Sequence, residues 1–65
     1  MSNNLPQGIA LTVRGLPHIV NHDGEGNWFA YVVKTQRSGG QYAQQLKPGS
    51  ANATRAIRDA QRIVR

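Results

Sequence analysis

The hydrophobic pattern of the chain changes its period at Ser50, and this change limits the fold more than any other feature. From Ala51 onward, apolar residues follow the three-and-four spacing of one face of an α-helix. The members of this alanine-rich stripe are Ala53, Ala56, Ile57, Ala60, Ile63 and Val64. One short helix can bury such a stripe only against one face of a sheet. The sequence therefore predicts a sheet whose other face meets water or a partner.

The residues before the helix predict three or four short strands. Residues 9–14 alternate between apolar and polar, residues 28–36 are rich in aromatic and β-branched side chains, and residues 41–46 are more polar. A further short strand is expected over residues 18–22, after an interruption at residues 15–17. Because the connections are short, neighbouring strands should pair antiparallel. We predict an α+β fold, a three-stranded or four-stranded antiparallel sheet packed on one C-terminal amphipathic helix.

The chain has 65 residues and can form one domain with a thin core, since a chain of this size buries only ~60% of the surface its unfolded form exposes. We predict a disordered tail over residues 1–8, which lack the features of a secretory signal, and a single domain over residues 9–65.

The sequence contains no cysteine, so disulfides and thiolate metal sites are excluded. This fits a reducing compartment, and we expect a cytoplasmic or nucleoid-associated protein without a membrane partner.

Eight Lys and Arg residues against three acids give a net charge of +5. A field of this sign attracts polyanions, nucleic acid first, although solubility alone also accounts for a net charge of ~2–8. The distribution of charge is more informative than the total. Residues 26–50 contain no Asp or Glu but include Lys34, Arg37 and Lys47. An acid-free patch with three cations favours the binding of nucleic acid.

Side-chain alternation divides each strand between two faces of the sheet. Over residues 28–36 both sets contain aromatic residues, so the sequence leaves open which set faces the helix. Over residues 41–46 the set that includes Leu46 is expected to face inward, which turns Gln41 and Gln45 outward. A small sheet can enter the major groove of DNA, where Gln pairs with adenine and Arg or Lys with guanine.

A second set of basic residues lies on the helix, opposite the apolar stripe: Arg55, Arg58, Arg62 and Arg65. A charged outer face is ordinary for an amphipathic helix, and Asp59 is spaced to form helical ion pairs with Arg55 and Arg62. The set is interpreted either as a solvated face or as a secondary basic face. In the second case it would contact phosphates or a host or recombination protein.

The sequence shows no catalytic or metal-binding pattern. His18 and His22 would lie ~13 Å apart along a strand, too far to share a metal. A phosphate-cradling loop and a nucleophile elbow are both missing. We therefore predict that the chain is not an enzyme and uses no metal, no cofactor and no small-molecule substrate.

The order strand, DGxG, strand, SGG, strand, PGS and helix resembles the amino-terminal arm-binding domain of lambda-type tyrosine-recombinase integrases and the related plant ethylene-response-factor DNA-binding domain. The matching segments are GNWFAYVVK, GQYAQQL and SANATRAIRDAQ. The resemblance implies a three-stranded sheet that reads the major groove, with contacts from Tyr31, Val33, Arg37, Gln41 and Lys47. The complete set of residues predicted to bind duplex DNA is Arg14, Tyr31, Val33, Lys34, Arg37, Gln41, Gln45 and Lys47.

We therefore expect a small basic domain that binds double-stranded DNA through the exposed sheet face, as an integrase head or as a stand-alone regulator of a phage or mobile element. The main alternative is a small phage-type inhibitor or adaptor that binds an acidic host protein through the helix arginines or an exposed Trp28. A third hypothesis is single-stranded RNA stacked on Trp28, Phe29 or Tyr31. The DNA hypothesis requires that neither the leading tail nor a second copy covers the exposed face.

Overall fold

A computed structural model describes residues 5–64, which form a four-stranded antiparallel sheet packed against one helix. The elements lie across the sheet in chain order and are β1 (Ile9–Val13), β2 (Leu16–His22), β3 (Trp28–Thr35) and β4 (Gln41–Gln45), followed by the helix α1 (Ala51–Ile63). The predicted α+β class is confirmed, with four strands. No helix among the described residues is long and apolar enough to cross a bilayer.

Arg14 and Gly15 form the two-residue turn between β1 and β2. Their φ angles are 54° and 80°, and positive values at both positions are typical of a type I′ hairpin turn. The interruption predicted over residues 15–17 is confirmed at Gly15, but its extension over Leu16 and Pro17 was wrong, because β2 already begins at Leu16. Proline is tolerated at this place because the pairing of β2 with β3 begins only at His18.

The turn between β2 and β3 is organised by the carboxylate of Asp23. Its Oδ1 accepts hydrogen bonds from the backbone N–H groups of Glu25 (2.8 Å) and Asn27 (3.2 Å), and its Oδ2 accepts one from the Asn27 side-chain amide (2.8 Å). These bonds, the Asn27 side chain first, lower the pKa of Asp23 below its ordinary value of 3.8. The charged form of this carboxylate therefore helps to hold the hairpin.

The buried core consists of small aliphatic side chains from one face of the sheet and from the helix stripe. Its members are Val13, Val20, Ala30, Ala53, Ala56 and Ala60. The alanines on α1 have no bulk beyond Cβ, so the helix backbone lies close to the strands. The helix packs across β1, β2 and β3, which leaves the opposite face of the sheet outside this core.

The ends of α1 show how far the predicted stripe extends. The Ser50 hydroxyl oxygen accepts a hydrogen bond from the backbone N–H of Ala53 at 3.3 Å, which confirms Ser50 as the N-cap. At the other end Ile63 and Val64 are 62% and 51% exposed. The stripe is therefore buried only as far as Ala60, and the expectation that Ile63 and Val64 join the core was wrong.

Both histidines lie on β2, as expected, and they have different environments. His18 is buried, and its Nδ1 lies 2.9 Å from the carbonyl oxygen of Leu16. A carbonyl only accepts, so Nδ1 donates this bond, and Nε2 has no hydrogen-bond partner among residues 5–64. His22 is exposed, and its ring centroid lies 4.6 Å from that of Trp28.

Candidate nucleic-acid interface

The strand register shows which side chains of β3 face the helix. Directly paired residues in an antiparallel sheet project from the same face. Val20 pairs with Ala30, and both belong to the core, so they mark the helix side. Tyr31 follows Ala30 and pairs with Gln45, which places both on the opposite side. The alternation that the sequence left open is thereby resolved.

Two strands build a continuous surface on the side away from the helix, which we call the β3–β4 face. It consists of three registered pairs, Tyr31 with Gln45, Val33 with Ala43 and Thr35 with Gln41. The two glutamines and Thr35 are exposed, and the other three side chains are half-buried. The predicted outward orientation of Gln41 and Gln45 is confirmed. The surface therefore offers amide donors and acceptors beside a small apolar strip.

The leading segment covers part of the same side of the sheet. The amide of Asn21 donates a hydrogen bond to the carbonyl oxygen of Gln7 at 3.1 Å. A Cβ at Gly8 would lie 2.5 Å from the backbone oxygen of Val20 and 3.0 Å from the Ile19 side chain, so only glycine fits this approach. Ile19 is 7% exposed although it points away from the helix.

The free surface is consequently narrower than the sequence suggested. Residues 1–4 of the predicted disordered tail lie outside the described residues, whereas residues 5–8 lie against β2. Leu5 borders a shallow depression that also includes Ile19 and Val33. The expectation that the whole second face is open was wrong, because the tail buries apolar surface of β2. The glutamine-bearing pairs of β3 and β4 remain accessible.

Three predicted cations lie around the β3–β4 hairpin, but not all on its outer face. Arg37 is exposed in the turn at one end, where Gln36 and Gly40 close the loop with an N–H···O bond of 2.7 Å. Lys47 is exposed beyond the other end, just after β4. Lys34 pairs with Tyr42 and therefore projects to the helix side, at an exposed position. The residues predicted to bind DNA therefore lie on both sides of the sheet, because Val33 projects to the side opposite Lys34.

Arg14 is the predicted DNA-binding residue that belongs neither to the β3–β4 hairpin nor to the segment directly after it. It occupies the turn between β1 and β2, and its side chain borders a cleft formed with Arg55, Arg58 and Arg62 of α1. This grouping of Arg14 with the helix arginines was not predicted from the sequence. A glycine between two segments of strand type is a turn signal, and Gly15 would have placed Arg14 beside a turn at the end of the sheet. Arg65 lies outside the described residues.

The aromatic residues do not form one stacking platform. Trp28 is half-buried against the core on the helix side, whereas Phe29 and Tyr31 share the other side by alternation. The expectation of an exposed Trp28 was wrong, because Trp28 packs against the core and its ring lies close to that of His22. Residues 5–64 also contain no group of three or more His, Cys, Asp or Glu side chains that could hold a metal.

Comparison of the chain with protein-family models, with curated proteins and with solved structures found no significant match. The resemblance to integrase arm-binding domains therefore stays a prediction.

Proposed function

We propose that this chain is a small domain that binds double-stranded DNA by placing the β3–β4 hairpin in the major groove. The observation that carries the proposal is the β3–β4 face itself, which contains no acid and presents the exposed side chains of Gln41 and Gln45 outward. The major groove is wide enough for a two-stranded ribbon. The partial cover of β2 by residues 5–8 leaves such a ribbon accessible.

In this proposal the cations position the ribbon and the glutamines read the bases. Arg37 and Lys47 lie at opposite ends of the hairpin, where the DNA backbones on either side of the groove would pass. Lys34, on the helix side of β3, reaches a phosphate from the flank. Each glutamine can form a bidentate pair with adenine, which discriminates against the wrong base by about 1–3 kcal/mol.

The domain would work as the head of a larger recombinase or as a stand-alone regulator of a phage or mobile element, in the cytoplasm or at the nucleoid. Both versions need the same interface. They differ in whether the domain alone binds tightly enough to act.

The test is the salt dependence of binding to a fluorescently labelled duplex, measured by anisotropy. Three phosphate contacts predict a log–log slope of about −2.7, at ~0.9 per contact. Combined replacement of Lys34, Arg37 and Lys47 by Gln should bring the slope close to zero. The matched control replaces Arg55, Arg58 and Arg62 by Gln, removes the same charge, and should keep the wild-type slope for the first duplex bound.

The comparison of the two triple variants distinguishes binding through the β3–β4 face from general electrostatic attraction to DNA. Equal loss of slope in both triple variants would show that net charge drives binding, and the proposal would be wrong. Absence of duplex binding by the wild type would also show that the proposal is wrong. Replacing Gln41 or Gln45 by Ala should instead change the sequences selected from a random duplex pool, at similar salt slope.

The alternative function, a protein adaptor, was expected to use either the helix arginines or Trp28 as its anchor. Trp28 is half-buried and packed, so it is poorly available as a hot spot. The helix arginines are exposed and could meet an acidic surface. Loss of DNA binding only in the Arg55, Arg58 and Arg62 triple variant would place the duplex on the helix face and contradict the proposed interface, whereas recovery of one stoichiometric protein from nuclease-treated lysate would favour the adaptor.

A further inference from the structure

Four arginines surround one shallow cleft between α1 and the first hairpin turn, which we call the arginine cleft. The cleft has a volume of about 510 Å³. Its basic members are Arg14, Arg55, Arg58 and Arg62. All four are exposed, and Asp59 is the one acidic residue in the lining. Four positive charges against one negative charge leave the cleft with an excess of three.

The three helical arginines follow one another along the cleft at short intervals. At 1.5 Å per residue, Arg55 and Arg58 are separated by ~4.5 Å along the axis, and Arg58 and Arg62 by ~6 Å. Separations of three and four residues keep them on one side of α1. Arg14 joins the lining from the turn between β1 and β2. The cleft is therefore elongated, open and basic along its length.

The backbone at Arg14 adds an independent observation. Its φ of 54° lies in the left-handed region, where Asn, Asp or Gly is usual and other residues are disfavoured by roughly 1 kcal/mol or more. Arginine at this position gains nothing for the turn. It does bring a fourth guanidinium to the wall that faces α1.

The chemistry of the lining indicates the ligand. Guanidinium groups form bidentate, charge-assisted hydrogen bonds with phosphate oxygens. A row of guanidinium groups a few ångströms apart suits consecutive phosphates better than one isolated anion. The open shape suits a chain that lies along the cleft, and Thr54 adds a hydroxyl to the lining.

We propose that the arginine cleft binds ligands with consecutive phosphate groups, either a free polyphosphate or the phosphodiester backbone of a nucleic-acid strand. This goes beyond the proposed function, because the cleft is formed by α1 and the turn between β1 and β2, and none of its lining residues belongs to the β3–β4 face.

The test uses the full chain, isotope-labelled for amide NMR, with sodium tripolyphosphate as the probe. Saturable shifts are expected for the amides of Arg14, Arg55, Arg58 and Arg62. Combined replacement of Arg58 and Arg62 by Gln should weaken binding by about tenfold or more, because two charge-assisted contacts are lost. The matched control, replacement of Lys34 and Arg37 by Gln, removes equal charge and should bind as the wild type.

Tripolyphosphate shifts that are absent, spread over all basic residues, or reduced equally in both variants would overturn the proposal. A second titration with excess short duplex identifies the source of the phosphates. Cleft shifts that appear beyond one equivalent and vanish in the Arg58 and Arg62 variant would indicate a nucleic-acid strand, whereas shifts with tripolyphosphate alone would indicate free polyphosphate. Failure of the DNA proposal would appear separately, as absence of shifts on the β3–β4 face.

Discussion

The close packing of α1 on the sheet depends on alanine at position 56, and replacing Ala56 by Leu tests this directly. Ala56 is fully buried within the cluster that includes Val13, Val20 and Ala30. Leucine adds three carbon atoms to a side chain that is already completely enclosed by its neighbours. Overpacking of this kind costs typically about 1–3 kcal/mol. A domain of this size has only about 3–5 kcal/mol of stability from its core.

We therefore expect the Ala56→Leu variant to lose about 2 kcal/mol of unfolding free energy. At roughly 4–8 °C per kcal/mol for a small domain, its Tm should fall by about 8–16 °C. The measurement is urea and thermal unfolding followed by far-UV circular dichroism. Ala51→Leu is the matched control, because Ala51 is exposed on the same helix and surface changes usually stay within about 0.5 kcal/mol.

Equal stability of the two leucine variants would refute the reasoning, since it would mean that α1 does not approach the sheet closely at Ala56.

A second measurement, the affinity for duplex DNA, links packing to function. Where the Ala56→Leu variant remains folded, its duplex affinity should match the wild type, because the β3–β4 face lies on the other side of the sheet. A large loss of affinity in the folded variant would place DNA near the helix instead.

Three further changes probe local interactions. His18→Leu should raise the unfolding free energy by about 1 kcal/mol, because losing the unpaired buried Nε2 outweighs losing the bond to the Leu16 carbonyl. Ser50→Ala should lower it by about 1 kcal/mol through loss of the N-cap. Asp23→Asn should destabilise the protein at neutral pH, and its difference from the wild type should vanish on acidification. The folded pKa of Asp23 lies below 3.8 through bonds from Asn27, so the stabilisation is present above pH 3.8 and is lost as the pH falls through the lowered pKa.

Urea unfolding measures all three variants, the last one at neutral and acidic pH. Ser38→Ala is a control for the cap, because Ser38 is an exposed serine outside the helix. Glu25→Gln removes the same charge as Asp23→Asn from the same turn without removing the Asp23 carboxylate. A strongly destabilised His18→Leu variant, a neutral Ser50→Ala variant, or a difference for Asp23→Asn that persists in acid would each contradict the corresponding contact.

Local sequence signals predicted most of the secondary structure. The Pro-Gly-Ser segment before an alanine stripe placed the start of α1 correctly, because N-caps and helical periodicity act within a few residues. The glycine turn after Arg37 placed the β3–β4 hairpin for the same reason. The error at Leu16 and Pro17 came from treating proline as a break, although its missing N–H matters only where a neighbouring strand needs it.

The candidate sites were less predictable, because they depend on which distant segments meet. The sequence placed Arg14 with the sheet cations, whereas the type I′ turn brings it to the helix arginines. It gave Val33 and Lys34 one common role in binding DNA without deciding which face is exposed, whereas the strand register puts Lys34 on the helix side and Val33 on the other side. A shift of one position along a strand changes the face of a side chain, so charge spacing alone cannot assign a surface.

The sequence by itself determined the change of period at Ser50, the net positive charge and the acid-free segment over residues 26–50, since these properties belong to composition and local order. Only the tertiary structure decided that residues 5–8 cover part of β2 and that four arginines share one cleft. The physical reason is that packing joins segments far apart in the chain. Alternation along a strand divides its side chains between two faces, but the positions of α1 and of residues 5–8 decide which surface remains exposed.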